Sequence, residues 1–295
     1  MLQFLPGPIH GVISLLLVSI YTGIIGIFFL TFALLKIIIP FKPWRRLCYK
    51  ASMLFGKIWI TITMFIVDFT KNIEWDFQYN GKLSMEDWYL IISNHQSWLD
   101  IIVLEKLLFQ KIPISKYFIK EQLMWIPGLG IGFWLLNFPV MKRYSREKIA
   151  KNPLLQGKDI ENTRKACEHY KSEPVSITNF PEGTRFSSEK QTNQNNSFKN
   201  LLNPKAGGMS FVLNSMEGIL NKIADVSINY PQENSSFWDF LCGKINKIKA
   251  TVTIKPIVKD LYGDYEDDSV YRENFQNWLN ALWKEKDKEI SRNNF

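Results

Sequence analysis

Cysteine is scarce in this chain. Its 295 residues include three, Cys48, Cys167 and Cys242, with no Cys-x-x-Cys pair and no histidine at metal-ligand spacing. That pattern argues against a disulfide framework and against a zinc site, and it fits a reducing compartment. Histidine is equally rare: His10, His95 and His169. His169 sits among Glu161, Arg164, Lys165 and Glu168, the pattern of a solvated helix face, and His10 precedes a long apolar run. Only His95 has a setting suited to chemistry. There is no Gly-x-Ser-x-Gly elbow, no internal repeat and no basic tail. The 36 lysines and arginines are spread along the chain, and the net charge of +8 points to an anionic partner other than nucleic acid.

Apolar sequence is abundant. Residues 12–39 are almost unbroken in this respect, with Lys36 near the end. About 28 residues make a helix of about 42 Å, more than the roughly 30 Å of a bilayer core. No small-residue cleavage site follows, so the run predicts an uncleaved transmembrane helix. Residues 1–11 lack Lys and Arg, whereas Lys42, Arg45, Arg46 and Lys50 follow the run. This orients the amino terminus outside and residue 42 onward in the cytoplasm. Residues 51–69 are a second apolar-aromatic stretch, interrupted by Gly56 and Lys57. They read as a helix lying in the cytoplasmic interface; a second span, which would put the rest of the chain outside, is the alternative. The expected organisation is a membrane anchor over 1–70, with a transmembrane helix at 12–39 and an interfacial helix at 51–69, followed by a catalytic domain over 71–295.

Beyond residue 70, short strand-like runs alternate with helical patterns. Strands are expected at 73–79, 89–92, 114–119, 138–141, 175–180, 224–230 and 250–254. Helices are expected at 101–109, 121–125, 158–171, 207–216 and 269–290. Pro127, Gly128, Gly130 and Gly132 read as chain breaks, 152–157 as a loop, and the Asn- and Gln-rich stretch 187–203 as a surface loop or a mobile lid. Such alternation predicts an α/β domain with a mostly parallel central sheet flanked by helices.

The stretch from Tyr89 to Asp100 carries the first chemistry. An apolar run ends in Ser93, Asn94, His95, Gln96 and Ser97, and a helical pattern starts immediately after. On one regular helix, five residues turn about 500°, so His95 and Asp100 would face apart. Across a strand-to-helix bend they converge. Aspartate beside histidine fixes the tautomer of the imidazole and stabilises its protonated form. With no activated serine in sight, that pair suits activation of a substrate's own hydroxyl. Ser93 and Ser97 flank the histidine, and a serine nucleophile is the competing mechanism.

A second apolar run, 175–180, ends in Pro181, Glu182, Gly183, Thr184 and Arg185. Together, Asn94-His95-Gln96-Ser97-Trp98-Leu99-Asp100 and Phe180-Pro181-Glu182-Gly183-Thr184-Arg185 resemble the paired signatures of the glycerolipid acyltransferase family. Its best-known bacterial members are 1-acylglycerol-3-phosphate acyltransferases. The blocks Lys120 to Arg143 and Lys205-Ala206-Gly207 resemble two further family motifs, and the likeness runs over roughly residues 88 to 231. Trp98 and Val226 depart from residues common in the family, which bears on headgroup selection and not on the acid-base pair.

The resemblance implies a membrane-bound O-acyltransferase that moves a fatty acyl chain from acyl-coenzyme A or acyl carrier protein to a lysophospholipid. Lysophosphatidic acid is the leading acceptor, and a lysophosphatidylglycerol or lysocardiolipin remodelling enzyme is the alternative. An inactive membrane-tethered protein that holds lipid or RNA is the alternative of another class. His95 and Asp100 are the catalytic candidates. Arg143 and Arg185 are candidates for the acceptor phosphate, because a guanidinium presents a fork of donors, and Lys142 competes with Arg143 for that role. Glu182 binds a glycerol hydroxyl or holds Arg185, the Gly183 amide helps an oxyanion, Thr184 completes the motif, and Lys205 adds charge. No cofactor and no metal are expected, and membrane phospholipid is the expected surroundings. The implied site of action is the inner (cytoplasmic) membrane, with the catalytic domain in the cytoplasm.

Overall fold

The computed structural model describes residues 5–39, 41–125, 129–141, 158–194, 198–231, 236–265 and 267–293. Two long helices come first, α1 (Gly7–Ile38) and α2 (Lys42–Thr70), each with a proline in its first turn, where the missing N–H has no helical partner to lose. Strands β1 (Glu74–Asn80) and β2 (Tyr89–Ser93), helix α3 (Leu99–Leu108) and strands β3 (Ser115–Tyr117) and β4 (Ile119–Lys120) follow. A 3-10 turn, Glu121–Trp125, precedes α4 (Leu129–Leu135) and β5 (Val140–Met141). Further along lie α5 (Lys158–Cys167), β6 (Ser176–Asn179), α6 (Ser188–Asn193), α7 (Ala206–Ser215), β7 (Lys222–Asn229), α8 (Phe237–Leu241), β8 (Lys247–Pro256) and α9 (Ser269–Asn293).

The chain divides into two compact units. One contains residues 1–74, 118–141 and 236–246; the other contains 75–117, 142–235 and 247–295. The first therefore gathers two segments that the sequence reading assigned to the later domain. It is built on α1 and α2, which pack antiparallel. Their contacts run in opposite chain directions: Trp44 Nε1 donates to Leu35 O, the rings of Phe55 and Phe28 stack at 4.7 Å, and Trp59 Nε1 donates to Thr22 Oγ1. At the far end Lys71 Nζ, a buried cation, donates to Ser14 Oγ (2.7 Å), to His10 Nε2 (3.1 Å) and to the Leu241 carbonyl. Three acceptors thus satisfy the three N–H groups of one ammonium and join α1, the end of α2 and α8.

Both helices are long and apolar enough to cross a membrane. The second is longer than the expected 51–69, because the basic segment from Lys42 is already helical. Antiparallel packing also couples the two, so whatever placement one helix takes the other shares. Large apolar side chains on α1, among them Ile20, Ile27, Leu34 and Ile37, are exposed. That suits a lipid surrounding and would be costly in water.

The second unit holds a six-stranded sheet in the order β1-β8-β7-β2-β6-β3. β2 lies between β6 and β7 and is parallel to both, β3 is parallel to β6, and β7 pairs antiparallel with β8. Every residue of β2 is buried, as a strand covered on both faces must be. Val103, Leu104, Leu107 and Leu108 of α3 and Met209, Val212 and Leu213 of α7 are buried core residues. Helix α9 contributes Phe275, Leu279, Leu282 and Trp283. It also carries a buried Lys286, whose Nζ donates to Asp225 Oδ1 at 2.7 Å and to the Val226 carbonyl at 2.5 Å, fixing α9 on β7.

Several expectations need correction. The run 114–119 splits at Phe118: β3 joins the large sheet, whereas β4 pairs with β5. The glycines at 130 and 132 do not break the chain but lie inside α4. The polar stretch 187–203 contains α6, started by Ser187, whose hydroxyl accepts from the Lys190 amide. Helix α8 was not anticipated, although Ser236 and Asp239 close a capping box that the sequence spells out.

Candidate active site

The two motif-bearing strands are neighbours. β2 and β6 run parallel with Ile92 opposite Asn179, so the His95 turn and the 181–185 turn leave the sheet side by side at its carboxyl edge. In open α/β sheets that edge is where ligands bind.

His95 Nδ1 lies 2.7 Å from Asp100 Oδ2. The same oxygen accepts from the amides of Gln96 (2.7 Å) and Ser97 (2.9 Å). Asp100 Oδ1 accepts from the hydroxyl of Tyr230 at 2.6 Å. The carboxylate is 0% exposed, and four donors, two on the backbone and two on side chains, replace the water that it lost. With the proton on Nδ1, directed at Oδ2, the imidazole presents Nε2 as an acceptor. Among the described residues Nε2 has no hydrogen-bond partner. The ring stacks on Phe180, centroids 4.2 Å apart, and Phe180 in turn lies parallel to Tyr117. The phenol of Tyr230 is held protonated, its pKa raised first by burial and then by the Asp100 charge.

Asn94 sets the start of this turn. Its Nδ2 donates to the Ile228 carbonyl and its Oδ1 accepts from the Ile228 amide, both at 2.8 Å. The side chain thus continues the ladder between β2 and β7 where the backbone has left it. The flanking serines serve the turn as well. Ser93 Oγ is buried and donates to the Asn94 carbonyl, and Ser97 Oγ accepts from the Leu99 amide. Neither hydroxyl is bonded to the imidazole, which disfavours a serine nucleophile.

The 181–185 turn is clasped to the His95 backbone at two points. Glu182 Oε1 accepts from His95 N (3.3 Å), and Phe186 N donates to His95 O (2.7 Å). The other Glu182 oxygen accepts from Leu202 N at 3.3 Å. Glu182 is wholly buried, so it neither reaches Arg185 nor offers itself to a glycerol hydroxyl. Burial pushes its carboxyl up to about 8, against the pull of the two amides. Gly183 has φ +69°, the left-handed region that favours glycine. Its amide donates to the Phe180 carbonyl at 2.9 Å, which engages it in the turn itself and away from the expected oxyanion role.

The remaining candidates form an exposed rim. The Arg185 guanidinium lies over the Trp98 ring, 4.9 Å from its centroid. Lys190 Nζ donates to Thr184 Oγ1 (2.8 Å) and to the Arg185 carbonyl (3.0 Å). Lys205 follows the turn, its amide bonded to Pro181 O and its side chain beside Gly183. Arg143 and Lys142 lie outside the described residues. Sequence reasoning missed Tyr230, Lys190 and the role of Asn94, and it tied Trp98 to headgroup selection without its contact with Arg185. Only Asn94 and Trp98 had a local signal, their place inside the His95 block.

The Acyltransferase family model matches residues 76–230, more than half of the chain. A 2-acyl-1-lysophosphatidylinositol acyltransferase of Saccharomyces cerevisiae is 29% identical over 243 residues, 66% of this chain and 59% of that protein. A probable 1-acyl-sn-glycerol-3-phosphate acyltransferase 5 of Arabidopsis thaliana is 27% identical over 206 residues, 65% of this chain and 51% of its own length. The chain thus spans between half and three fifths of these relatives. The crystal structure of the 1-acyl-sn-glycerophosphate (LPA) acyltransferase PlsC from Thermotoga maritima superposes with a TM-score of 0.50 at 16% identity, covering 96% of this chain and 97% of that one; at that identity the likeness is one of fold.

The buried Glu182 makes a pH test. In the unfolded chain a glutamate ionises near 4.5; in the folded chain this one holds its proton to about 8. Between those values folding takes up a proton, so the contribution of Glu182 to stability falls as pH rises. Relative to the parent protein, Glu182→Gln should therefore gain melting temperature steadily from pH 5 to pH 8. A constant difference across that range would contradict the assigned protonation state.

Proposed function

The chain belongs to the acyltransferase family, and on that premise we propose that it transfers a fatty acyl chain from a thioester to the hydroxyl of a lysophospholipid. The donor is acyl-coenzyme A or acyl carrier protein. Lysophosphatidic acid is the leading acceptor and phosphatidic acid its product. The observation that carries this reading is the 2.7 Å contact between His95 and the buried Asp100. Nε2 of His95 takes the proton from the acceptor hydroxyl while that oxygen attacks the thioester carbonyl. Asp100 stabilises the imidazolium so formed. Collapse of the tetrahedral intermediate breaks the C–S bond, and the imidazolium gives its proton to the departing thiolate. No acyl-enzyme is required, in keeping with Ser93 and Ser97 being committed to the turn.

Arg185, Lys190 and Lys205 supply the positive rim for an acceptor phosphate, and Trp98 supports the Arg185 guanidinium. A second reading, an acceptor with a substituted phosphate such as lysophosphatidylinositol or lysophosphatidylglycerol, has its motive in the name of the yeast relative. Radiolabelled acyl transfer with a panel of donors and lysolipids separates the two.

For location we propose attachment to the cytoplasmic face of a membrane through α1 and α2. Lys42, Arg45, Arg46 and Lys50 lie in the first turns of α2, and two helices lying in the interface keep these charges among anionic headgroups. The amino terminus and the catalytic unit then share the cytoplasmic side, where thioester donors are made.

Three outcomes test this. His95→Ala lowers turnover by about 10²–10⁴-fold in a folded protein, and Asp100→Asn removes most of the activity; near-parental turnover by purified His95→Ala protein rules out the mechanism. Arg185→Ala and Trp98→Ala raise the KM for the lysolipid more than the KM for the donor; a change in the donor constant alone reassigns the rim to the donor. A cysteine tag added after Phe295 stays unlabelled by an impermeant reagent in intact cells, and labelling would mean that the chain emerges on the outer face.

A further inference from the structure

We propose that Tyr230 is a positioning residue for the His95–Asp100 pair: its hydroxyl holds the free oxygen of the carboxylate, aims the other at His95 and moderates the basicity of the imidazole. The proposal rests on the reading of His95 as the general base.

The two oxygens of Asp100 are served unequally. Oδ2 accepts three hydrogen bonds, from His95 Nδ1, Gln96 N and Ser97 N. Among the described residues Oδ1 has Tyr230 alone, at 2.6 Å, a length typical of a hydroxyl bonded to an anion. The carboxylate has no exposure and Tyr230 has 7%, so an oxygen deprived of this donor would be left buried and unpaired. Partial rotation of the carboxylate about its last bond would turn Oδ2 away from the imidazole, and the Tyr230 bond opposes that rotation.

The fold fixes Tyr230 independently of Asp100. It follows β7 directly, two residues after Ile228, whose amide and carbonyl are both held by the Asn94 side chain. Asn94 is in turn the neighbour of His95. One end of β7 thus sets the height of the histidine turn through Asn94 and the aim of the carboxylate through Tyr230. The phenol cannot serve as an acid or base of the reaction, because burial and the Asp100 charge hold its proton on, and it touches no reacting atom. Its action passes through Asp100. By sharing the negative charge, it weakens the pull of Asp100 on the imidazolium.

Tyr230→Phe keeps the ring and removes only the hydroxyl. The charge on Asp100 then falls more heavily on His95. The acid limb of the pH profile of kcat/KM should move to higher pH by about 0.5–1 unit, and kcat should fall about 10-fold. Replacement of Tyr230 by 3-fluorotyrosine, a stronger donor of nearly the same shape, should move the limb to lower pH. NMR titration of the His95 ring in the full-length protein should shift in the same two directions, without reference to turnover. A ring that merely fills space predicts no shift in any of these, and unchanged titration with an unchanged acid limb overturns the proposal. If Tyr230→Phe fails to fold, the fluorotyrosine protein carries the test, and an unmoved limb there is decisive against it. Activity that survives His95→Ala would instead remove the base assignment, and the ring titration would still report whether Tyr230 acts on the pair.

Discussion

The arrangement at the carboxyl edge of the sheet depends on one buried charge. A carboxylate stripped of water is costly unless donors replace what it lost. Asp100 is supplied by two backbone amides of its own turn, one imidazole and one phenol drawn from β7. Each partner answers a separate demand. The amides exist because the chain bends tightly from β2 into α3. The imidazole is the group whose chemistry is used in the proposed transfer. The phenol reaches the site because β7 lies beside β2. Remove the charge, and the tight bend, the tautomer of His95 and the reason for burying Tyr230 all lose their physical basis.

Much of this was legible in the sequence, and what was legible shares a cause. The bend from β2 to α3, the place of Asp100 in the first helical turn and the convergence of His95 with Asp100 all follow from neighbouring residues. The parallel sheet followed from the alternation of short apolar runs with helical patterns. What was not legible depends on contacts between distant parts of the chain. Nothing near Tyr230 announces that its hydroxyl meets residue 100, and nothing near Glu182 announces that its oxygens face the amides of residues 95 and 202. Glu182 and Gly183 were assigned to substrate from their motif. The structure places both in the turn that supports the motif, one by burial and the other by a positive φ. Gly130 and Gly132 show the opposite failure, where local propensity read as chain breaks was overridden by the packing of α4 in its unit.

The amino-terminal helices illustrate how a pairwise contact changes a topological argument. Taken singly, each run is judged by length and composition, and a span followed by an in-plane helix is a reasonable expectation. Once Trp44, Phe55 and Trp59 are seen to meet Leu35, Phe28 and Thr22 in reverse order, the two helices form one antiparallel pair whose placement is argued together. The basic residues at the start of α2 then weigh on both helices together. In the proposed placement, the charges that oriented a single span in the sequence reading serve instead to hold a pair at a headgroup layer.

The site separates into a floor and a rim, and the separation has a consequence for how its selectivity is set. Asn94, Asp100, Glu182 and Tyr230 are buried and bonded to backbone or to each other. A substitution at any of them disturbs the dyad itself. Trp98, Arg185, Lys190 and Lys205 are exposed, and their bonds are to one another or to the outer side of the turn. Exchange of a rim residue changes charge and shape at the entrance but leaves the buried donors in place. In the proposed enzyme, acyl transfer to a hydroxyl is therefore fixed by the floor, and the choice of headgroup belongs to side chains that can vary without cost to the chemistry. Trp98 joins the two layers: it stands between the histidine turn and α3 in sequence, yet its ring carries the guanidinium of Arg185. A change there reaches substrate selection through the one rim residue that shares its backbone with the base.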